Sequence, residues 1–203
     1  MHRLDNLTML DQESAFHSAA SGTAQAARPL GPVAPSSHFM MAHPAHVMAL
    51  GFGSGLSPKA PGTMGTLWAW ALFALLQDRL TEAQWGGLIA ISILAGWWVC
   101  TVTARHMRTL DPGSIVWDEI AAFWLVLWLA SPTGFWGQLA AFALFRFFDA
   151  VKPGPVAWAD RLYHQVDPAT DRSAWRKAGW GIMLDDLVAA FCTLLVIALW
   201  RSW

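Results

Sequence analysis

Five apolar segments, separated by short polar stretches, make up most of the chain after residue 63. They cover residues 64–76, 85–103, 120–130, 135–148 and 187–200. A helix perpendicular to the bilayer needs about 20 residues to cross it, and only the second segment approaches that length. Shorter segments can still cross where flanking residues lengthen the helix or the bilayer thins. The pattern therefore predicts an all-α fold, a polytopic membrane bundle of four or five short transmembrane helices.

Composition favours a membrane protein and argues against a nucleic-acid-binding one. Apolar residues make up 55% of the 203 residues and charged residues only 13%, about half the usual share in globular domains. The formal net charge is −1, so the chain has no overall positive field that would attract nucleic acid. Many of the 14 tryptophans lie near segment ends, which is typical of aromatic belts at the two membrane surfaces.

Residues 1–45 differ from the rest of the chain because they are rich in Ala, Ser, Pro and His. They contain no apolar run long enough for a signal peptide, and their composition predicts a disordered N-terminal extension. The five histidines between His2 and His46 are irregularly spaced, which favours a solvated tail over a metal site. The predicted membrane-embedded domain covers residues 46–203.

If all five segments cross the membrane, the basic residues fall mostly on one side. Ten lie there, whereas only Arg79 and Arg201 lie on the other side, with Arg146 inside a segment. Because basic residues concentrate in cytoplasmic loops, this asymmetry predicts that the charged side faces the cytoplasm. The ten residues are Arg3, Arg28, Lys59, Arg105, Arg108, Lys152, Arg161, Arg172, Arg176 and Lys177.

A glycine-rich stretch at residues 51–66 precedes the first apolar segment on this side. Its glycines would let backbone N–H groups approach a phosphate, and Lys59 would add positive charge. It matches neither the P-loop pattern nor a dinucleotide-binding pattern. A plain Gly/Pro-rich turn would have much the same sequence.

Adjacent acidic residues occur at the edges of two apolar segments, namely Asp118-Glu119 and Asp185-Asp186. Carboxylates at a membrane edge are costly to bury unless they are paired or bind a cation. The simpler interpretation of the first pair is that water solvates it at the membrane interface. The simpler interpretation of the second is that an acid complements the dipole at the start of a helix. With Asp149, the five acids form an oxygen-only ligand set, which Mg²⁺ prefers over Zn²⁺.

Arg146, Asp149 and Lys152 are spaced three residues apart, which places them along one face of a helix. This face offers a carboxylate for a cation and two positive groups for a phosphate. A phosphatase needs both, because the transferring phosphoryl group carries negative charge that must be neutralised. The alternative is a small membrane cation-binding or transport protein without hydrolase activity. The acids lie at segment ends and not inside them, which favours the phosphatase.

Four motifs in this order, SPKAPGTMGT, WDEI, FRFFDAVKPGP with a later DR, and GWGIMLDD, resemble the phosphatidylglycerophosphatase A family. The resemblance runs from about residue 51 to about residue 191. It implies Mg²⁺-dependent hydrolysis of the terminal phosphomonoester of phosphatidylglycerophosphate to phosphatidylglycerol, in the bacterial inner membrane, with the active site facing the cytoplasm.

The resemblance also implies which residues form the site, and their individual roles are our own inference. The metal ligands would be Asp118, Glu119, Asp149, Asp185 and Asp186, among which Asp149, Asp186 and Glu119 would be catalytic. Contacts to the substrate would come from Lys59, Thr63, Arg146, Lys152 and Arg161.

Overall fold

The computed structural model describes residues 31–163 and 166–203, which form helices and connecting loops with no β-strand among them. The prediction of an all-α fold is therefore confirmed for this part of the chain. The α-helices are α1 (Ser37–Met41), α2 (Pro44–Ala49), α3 (Pro61–Leu76), α4 (Glu82–Met107), α5 (Trp117–Ala130), α6 (Phe135–Val151), α7 (Pro155–Arg161) and α8 (Ala174–Arg201), with a 3₁₀ helix at Gly51–Leu56 between α2 and α3.

Helix α5 forms the centre of the bundle. Ten of its 14 residues are buried, and α3, α4, α6 and α8 all pack against it. Indole N–H groups satisfy backbone carbonyls inside the core, since Trp117 donates to Ser92 O at 3.0 Å and Trp124 to Ala69 O at 2.9 Å. The prediction of interfacial belts is wrong for these two tryptophans and for Trp85, because all three are at most 5% exposed.

Helices α4 and α8, with 26 and 28 residues, are long and apolar enough to cross a membrane. Helix α8 begins at Ala174, 13 residues before the apolar segment that starts at residue 187. Asp185 and Asp186 therefore lie inside the helix, and the interpretation that they complement a dipole at its start is wrong. The early part of α8 is too polar to stand out by composition, but it packs closely on α4, where a Cβ on Gly179 would lie 2.1 Å from Thr101 Oγ1.

Side-chain contacts at the helix ends show that successive long helices run in opposite directions. At one end of the bundle, Trp128 Nε1 near the end of α5 donates to Glu82 Oε2 at the start of α4 at 2.6 Å. At the same end, Gln138 Nε2 in the first turns of α6 donates to Gln77 Oε1 after α3 at 3.2 Å. The opposite end therefore gathers the start of α3, the start of α5 and the end of α6, where most of the predicted site residues lie.

The ordered part of the chain begins before residue 46. Helices α1 and α2 include residues 37–41 and 44–45 of the stretch that is predicted above to be disordered, and Ala45 is only 1% exposed. His46 is buried, with Nδ1 2.8 Å from Phe39 O and Nε2 2.8 Å from His106 Nδ1 in the last turn of α4. His46 thus docks the amino-terminal helices on α4 and does not belong to a solvated tail. The prediction for residues 1–30 concerns a stretch outside the described residues.

Candidate active site

Three carboxyl groups meet at the end of the bundle where α5 begins. Oxygen atoms of Asp118, Glu119 and Asp186 all lie within 4.8 Å of one another. Asp118 and Glu119 occupy the first turn of the central helix α5, and Asp186 reaches them from the interior of α8. Asp118 is 8% exposed and Asp186 only 2%. The convergence of these acids, predicted from sequence motifs far apart in the chain, is present in the structure.

Three oxygens of this acid cluster, and one of the neighbouring Asp185, have no hydrogen-bond partner within the described part of the chain. They are Asp118 Oδ1, Glu119 Oε2, Asp185 Oδ1 and Asp186 Oδ2, and all four are buried. Buried carboxylates repel one another and are costly unless a cation or a proton neutralises them. A set of inward-facing carboxylate oxygens without nitrogen or sulfur donors suits a hard divalent cation such as Mg²⁺. The residues present therefore fit the cation that the sequence motifs imply.

Arg146 connects Asp149 to the acid cluster. Its Nη1 forms an ion pair with Asp149 one turn further along α6 and lies 3.9 Å from Glu119 Oε1. On the predicted shared face, Arg146 and Asp149 thus lie beside the start of α5, whereas Lys152 follows the last residue of α6 and contacts α7 and α8 instead. Gly62, in the first turn of α3, packs directly against Glu119 and Arg146. A Cβ at this position would lie 2.2 Å from Glu119 Oε1 and 3.1 Å from Arg146 Nη1.

Lys152 ends α6 in the left-handed conformation, with φ 49°, and bridges two acids. Its Nζ donates to Asp160 of α7 and, at 2.6 Å, to Asp185 Oδ2 of α8. Burial alone would lower the pKa of Lys152, but the charges and hydrogen bonds of Asp185 and Asp160 outweigh it and raise the pKa above its ordinary value. The ammonium group is therefore kept charged beside the acid cluster.

The structure does not join three predicted substrate-binding residues to this network. Lys59 and Arg161 are exposed, Thr63 is half-buried in the first turn of α3, and no hydrogen bond or ion pair links their side chains to the residues described. Their contacts with a substrate remain predictions. Asp160, which precedes Arg161 in the chain, does contact the site through its ion pair with Lys152.

Asp111 and Tyr163 line a small cavity together with Asp160 and Asp185, and neither is among the predicted site residues. Asp111 lies in the loop between α4 and α5, seven residues before Asp118, and Tyr163 follows α7. Both residues lie in loops on the predicted cytoplasmic side, where the basic residues concentrate. This location was the one sequence feature that could have indicated them. Neither residue has a sequence motif that distinguishes it from an ordinary loop residue.

The chain is similar to proteins of one known family over most of its length. The family model described as Phosphatidylglycerophosphatase A matches residues 47–201. Proteins named phosphatidylglycerophosphatase A from Escherichia coli (strain K12) and Haemophilus influenzae are 41% and 37% identical to the chain. These matches cover 75% and 83% of this chain and 81% and 96% of the relatives.

A third relative has a different name. It is a protein from Bacteroides thetaiotaomicron named putative phosphatidylinositol-3-phosphatase, 36% identical, and the match covers 76% of this chain and 92% of that protein. No solved structure gave a match.

These matches show that the protein is a phosphatase. The residues that the structure describes form a helical fold, in which α4 and α8 are long and apolar enough to cross a membrane. The chain belongs to the phosphatidylglycerophosphatase A family. The resemblance inferred from the four sequence motifs is thereby confirmed.

Proposed function

We propose that the protein removes the terminal phosphate of phosphatidylglycerophosphate in a Mg²⁺-dependent reaction, giving phosphatidylglycerol and inorganic phosphate. The observation that carries the proposal is the acid cluster of Asp118, Glu119 and Asp186, beside the ion pairs of Arg146 and Lys152. The names of the two phosphatidylglycerophosphatase relatives support this substrate.

The cluster divides into groups that would hold a cation and groups that would hold phosphate. Asp118, Glu119, Asp149, Asp185 and Asp186 would be the metal ligands, and a bound Mg²⁺ would offset negative charge on the carboxylates and on the phosphoryl group. Arg146 and Lys152 have side chains 20% and 31% exposed, so both can be reached from outside the bundle.

Arg146 and Lys152 are already held in place by carboxylates, which fixes their positions before a substrate arrives. Their positive charges would bind phosphoryl oxygens through charge-assisted hydrogen bonds. Because these donors are pre-oriented, little reorganisation is needed as charge develops on the phosphoryl group. This arrangement favours phosphate hydrolysis over the alternative of a cation-transport protein, in which acids would not be paired with two phosphate-binding cations.

We also propose that α3 and α6 cross the membrane with α4 and α8, and that α5 is shielded by them. Helix α5 spans only about 21 Å at 1.5 Å per residue, less than the ~30 Å hydrocarbon core, but its neighbours surround it. The acid cluster would then lie near one membrane surface. The basic residues on that side support placing it at the cytoplasmic face of the bacterial inner membrane.

Phosphate release from defined lipids tests this function. Purified protein in detergent micelles is expected to release inorganic phosphate from phosphatidylglycerophosphate with Mg²⁺, and chelation with EDTA should stop the release because the acid cluster loses its counter-charge. Phosphatidic acid and phosphatidylinositol 3-phosphate serve as comparison lipids. Failure to release phosphate from phosphatidylglycerophosphate with Mg²⁺, Mn²⁺ or Ca²⁺ would overturn the proposal. Preferential release from the phosphoinositide would instead assign the activity named for the third relative.

A further inference from the structure

An apolar groove runs along the exposed face of α3, between this helix and the 3₁₀ helix. One wall is formed by Met64, Leu67 and Ala71 of α3, and the other by Gly51 and Phe52 of the 3₁₀ helix. The three α3 residues are spaced three and four apart, so they share one face and span about 10 Å along the helix. The volume of this α3 groove is ≈ 380 Å³.

Both walls of the α3 groove reach the acid cluster. Gly51 packs on the first turn of α5, because a Cβ on it would lie 2.7 Å from Val116 Cγ2 and 2.9 Å from Ile120 Cδ1. These two α5 residues flank the acids of that turn. The other wall meets the cluster through Gly62 at the start of α3, where a Cβ would lie 2.2 Å from Glu119 Oε1. A molecule in the groove would therefore have one end beside the carboxylates.

Phe52 is held in an unfavourable conformation at the rim of the groove. Its backbone is left-handed, with φ 55°, which is costly for a residue that has a side chain. The side chain is nevertheless 57% exposed, so burial does not offset this cost. Its ring contacts Trp117, which directly precedes Asp118, with 6.2 Å between the ring centroids. A strained and exposed aromatic residue beside a candidate active site favours a contact with a ligand.

Lys59 provides positive charge at the end of the groove beside the acid cluster. It lies in the loop between Leu56, the last residue of the 3₁₀ helix, and Pro61, the first residue of α3. This loop joins the two walls of the groove, and Lys59 is exposed in it. An apolar groove with a cation at one end complements an anionic lipid, in which a negative headgroup continues into an apolar chain.

The substrate of the proposed function has a second phosphate, in a diester, between its terminal phosphate and its acyl chains. We infer that the α3 groove holds one acyl chain of this lipid while Lys59 contacts the diester phosphate; the inference rests on the proposed function. The acyl chain then positions the terminal phosphate at the acid cluster. A helix of a second copy fits the groove less well, because a helix about 10 Å in diameter would occupy roughly twice the groove volume over the same length.

Two substrates with the same headgroup test the groove. One is the dihexanoyl form of phosphatidylglycerophosphate, and the other is its deacylated headgroup, which keeps both phosphates. With Mg²⁺ and a fixed detergent concentration, the ratio of kcat/KM for the lipid to kcat/KM for the deacylated compound is expected to be at least about 100 in the wild type, because several methylene groups leave water.

Ala71→Trp fills the groove, and Met64→Gln places a polar group in it. Each is expected to lower the ratio at least about fivefold while kcat/KM for the deacylated compound stays near the wild-type value. Lys59→Gln is expected to lower kcat/KM for both substrates about 2 to 5-fold and to keep the ratio, because both carry the diester phosphate. Ala90→Trp is the matched control, since Ala90 is an exposed alanine of α4 outside the groove.

The deacylated compound reports folding defects, because a misfolded variant loses activity on both substrates. Wild-type ratios in both Ala71→Trp and Met64→Gln would overturn the inference alone, and unchanged kcat/KM in Lys59→Gln would remove Lys59 from the subsite. Light scattering that shows a changed oligomeric state in Ala71→Trp would assign the groove to a second copy and overturn the inference as well. A wild-type protein that hydrolyses neither substrate would overturn the proposed function and this inference with it.

Discussion

Asp186→Asn is expected to lower kcat for phosphate release at least about 100-fold, because it removes the most buried ligand of the acid cluster. The same change should raise the melting temperature of the metal-free protein by about 2–4 °C. The reason is that one of several mutually repelling buried carboxylates is lost, and about 1 kcal/mol corresponds to such a shift in a chain of this size. Activity and stability are thus expected to move in opposite directions.

Turnover and thermal unfolding, each with and without Mg²⁺, check this prediction. The wild-type protein should be stabilised by Mg²⁺, as expected when a ligand binds the folded state, and the variant should lose that stabilisation. Asp78→Asn is the control for removing a carboxylate, since Asp78 is exposed and distant from the cluster. Turnover of Asp186→Asn within threefold of the wild type would contradict the role of Asp186.

Gly62→Ala is expected to reduce kcat/KM by about 10 to 100-fold while leaving the protein folded. The added methyl group would lie 2.2 Å from Glu119 Oε1, so the Glu119 carboxylate must leave its position beside Asp118 and Asp186. The displaced atom is the end of a flexible side chain, and the backbone of α3 can stay in place. The substitution is therefore expected to misplace the Glu119 carboxylate without unfolding the protein. A displacement of about 1 Å in such a site can lower the rate ~100-fold.

Gly87→Ala is the matched control for this change. A Cβ on Gly87 has no heavy atom within 4 Å, and alanine is favoured over glycine in a helix interior by about 1 kcal/mol. This variant should keep wild-type kcat/KM and melt at an equal or slightly higher temperature. Wild-type activity in Gly62→Ala would show that Glu119 need not occupy the position seen in the structure.

The acids of the site could be predicted from sequence because each interrupts an otherwise apolar pattern. Asp118 and Glu119 precede an apolar segment directly, and Asp186 does the same for the last one. Buried carboxylates beside apolar helices need a compensating partner, so their convergence was a reasonable expectation. The spacing of Arg146 and Asp149 likewise predicted a common helical face, which their ion pair confirms. Lys152 does not continue this face, because α6 ends at Val151 and Lys152 pairs with Asp185 of α8.

The extent of the helices could not be predicted from the apolar pattern. Hydropathy indicates which part of a helix has apolar surroundings, but it does not indicate where the backbone hydrogen bonding of the helix begins. The apolar pattern therefore did not show that α8 starts at Ala174, well before its apolar part. The central position of α5 depends on packing by four other helices, which a single segment does not encode. The buried role of His46 depends on its contacts with Phe39 and His106, which lies 60 residues away in the chain.

Residues of the cavity were missed for the same physical reason. Asp111 and Tyr163 lie in loops with ordinary loop composition, and only the folded chain brings them beside Asp185. Lys59, Thr63 and Arg161 were selected because they lie within recognisable motifs. In the structure, Arg146 and Lys152 form ion pairs with acids of the site. Contacts of Lys59, Thr63 and Arg161 with a substrate stay a prediction.

Binding of Mn²⁺ to the purified protein, followed by electron paramagnetic resonance, tests the central claim most directly because it does not depend on turnover. The wild-type protein is expected to bind Mn²⁺ in a form that Mg²⁺ displaces, whereas Asp118→Asn and Asp186→Asn should each weaken that binding at least about tenfold. Mn²⁺ affinity that is the same in the wild type and in both variants would contradict the claim that these carboxylates share a divalent cation.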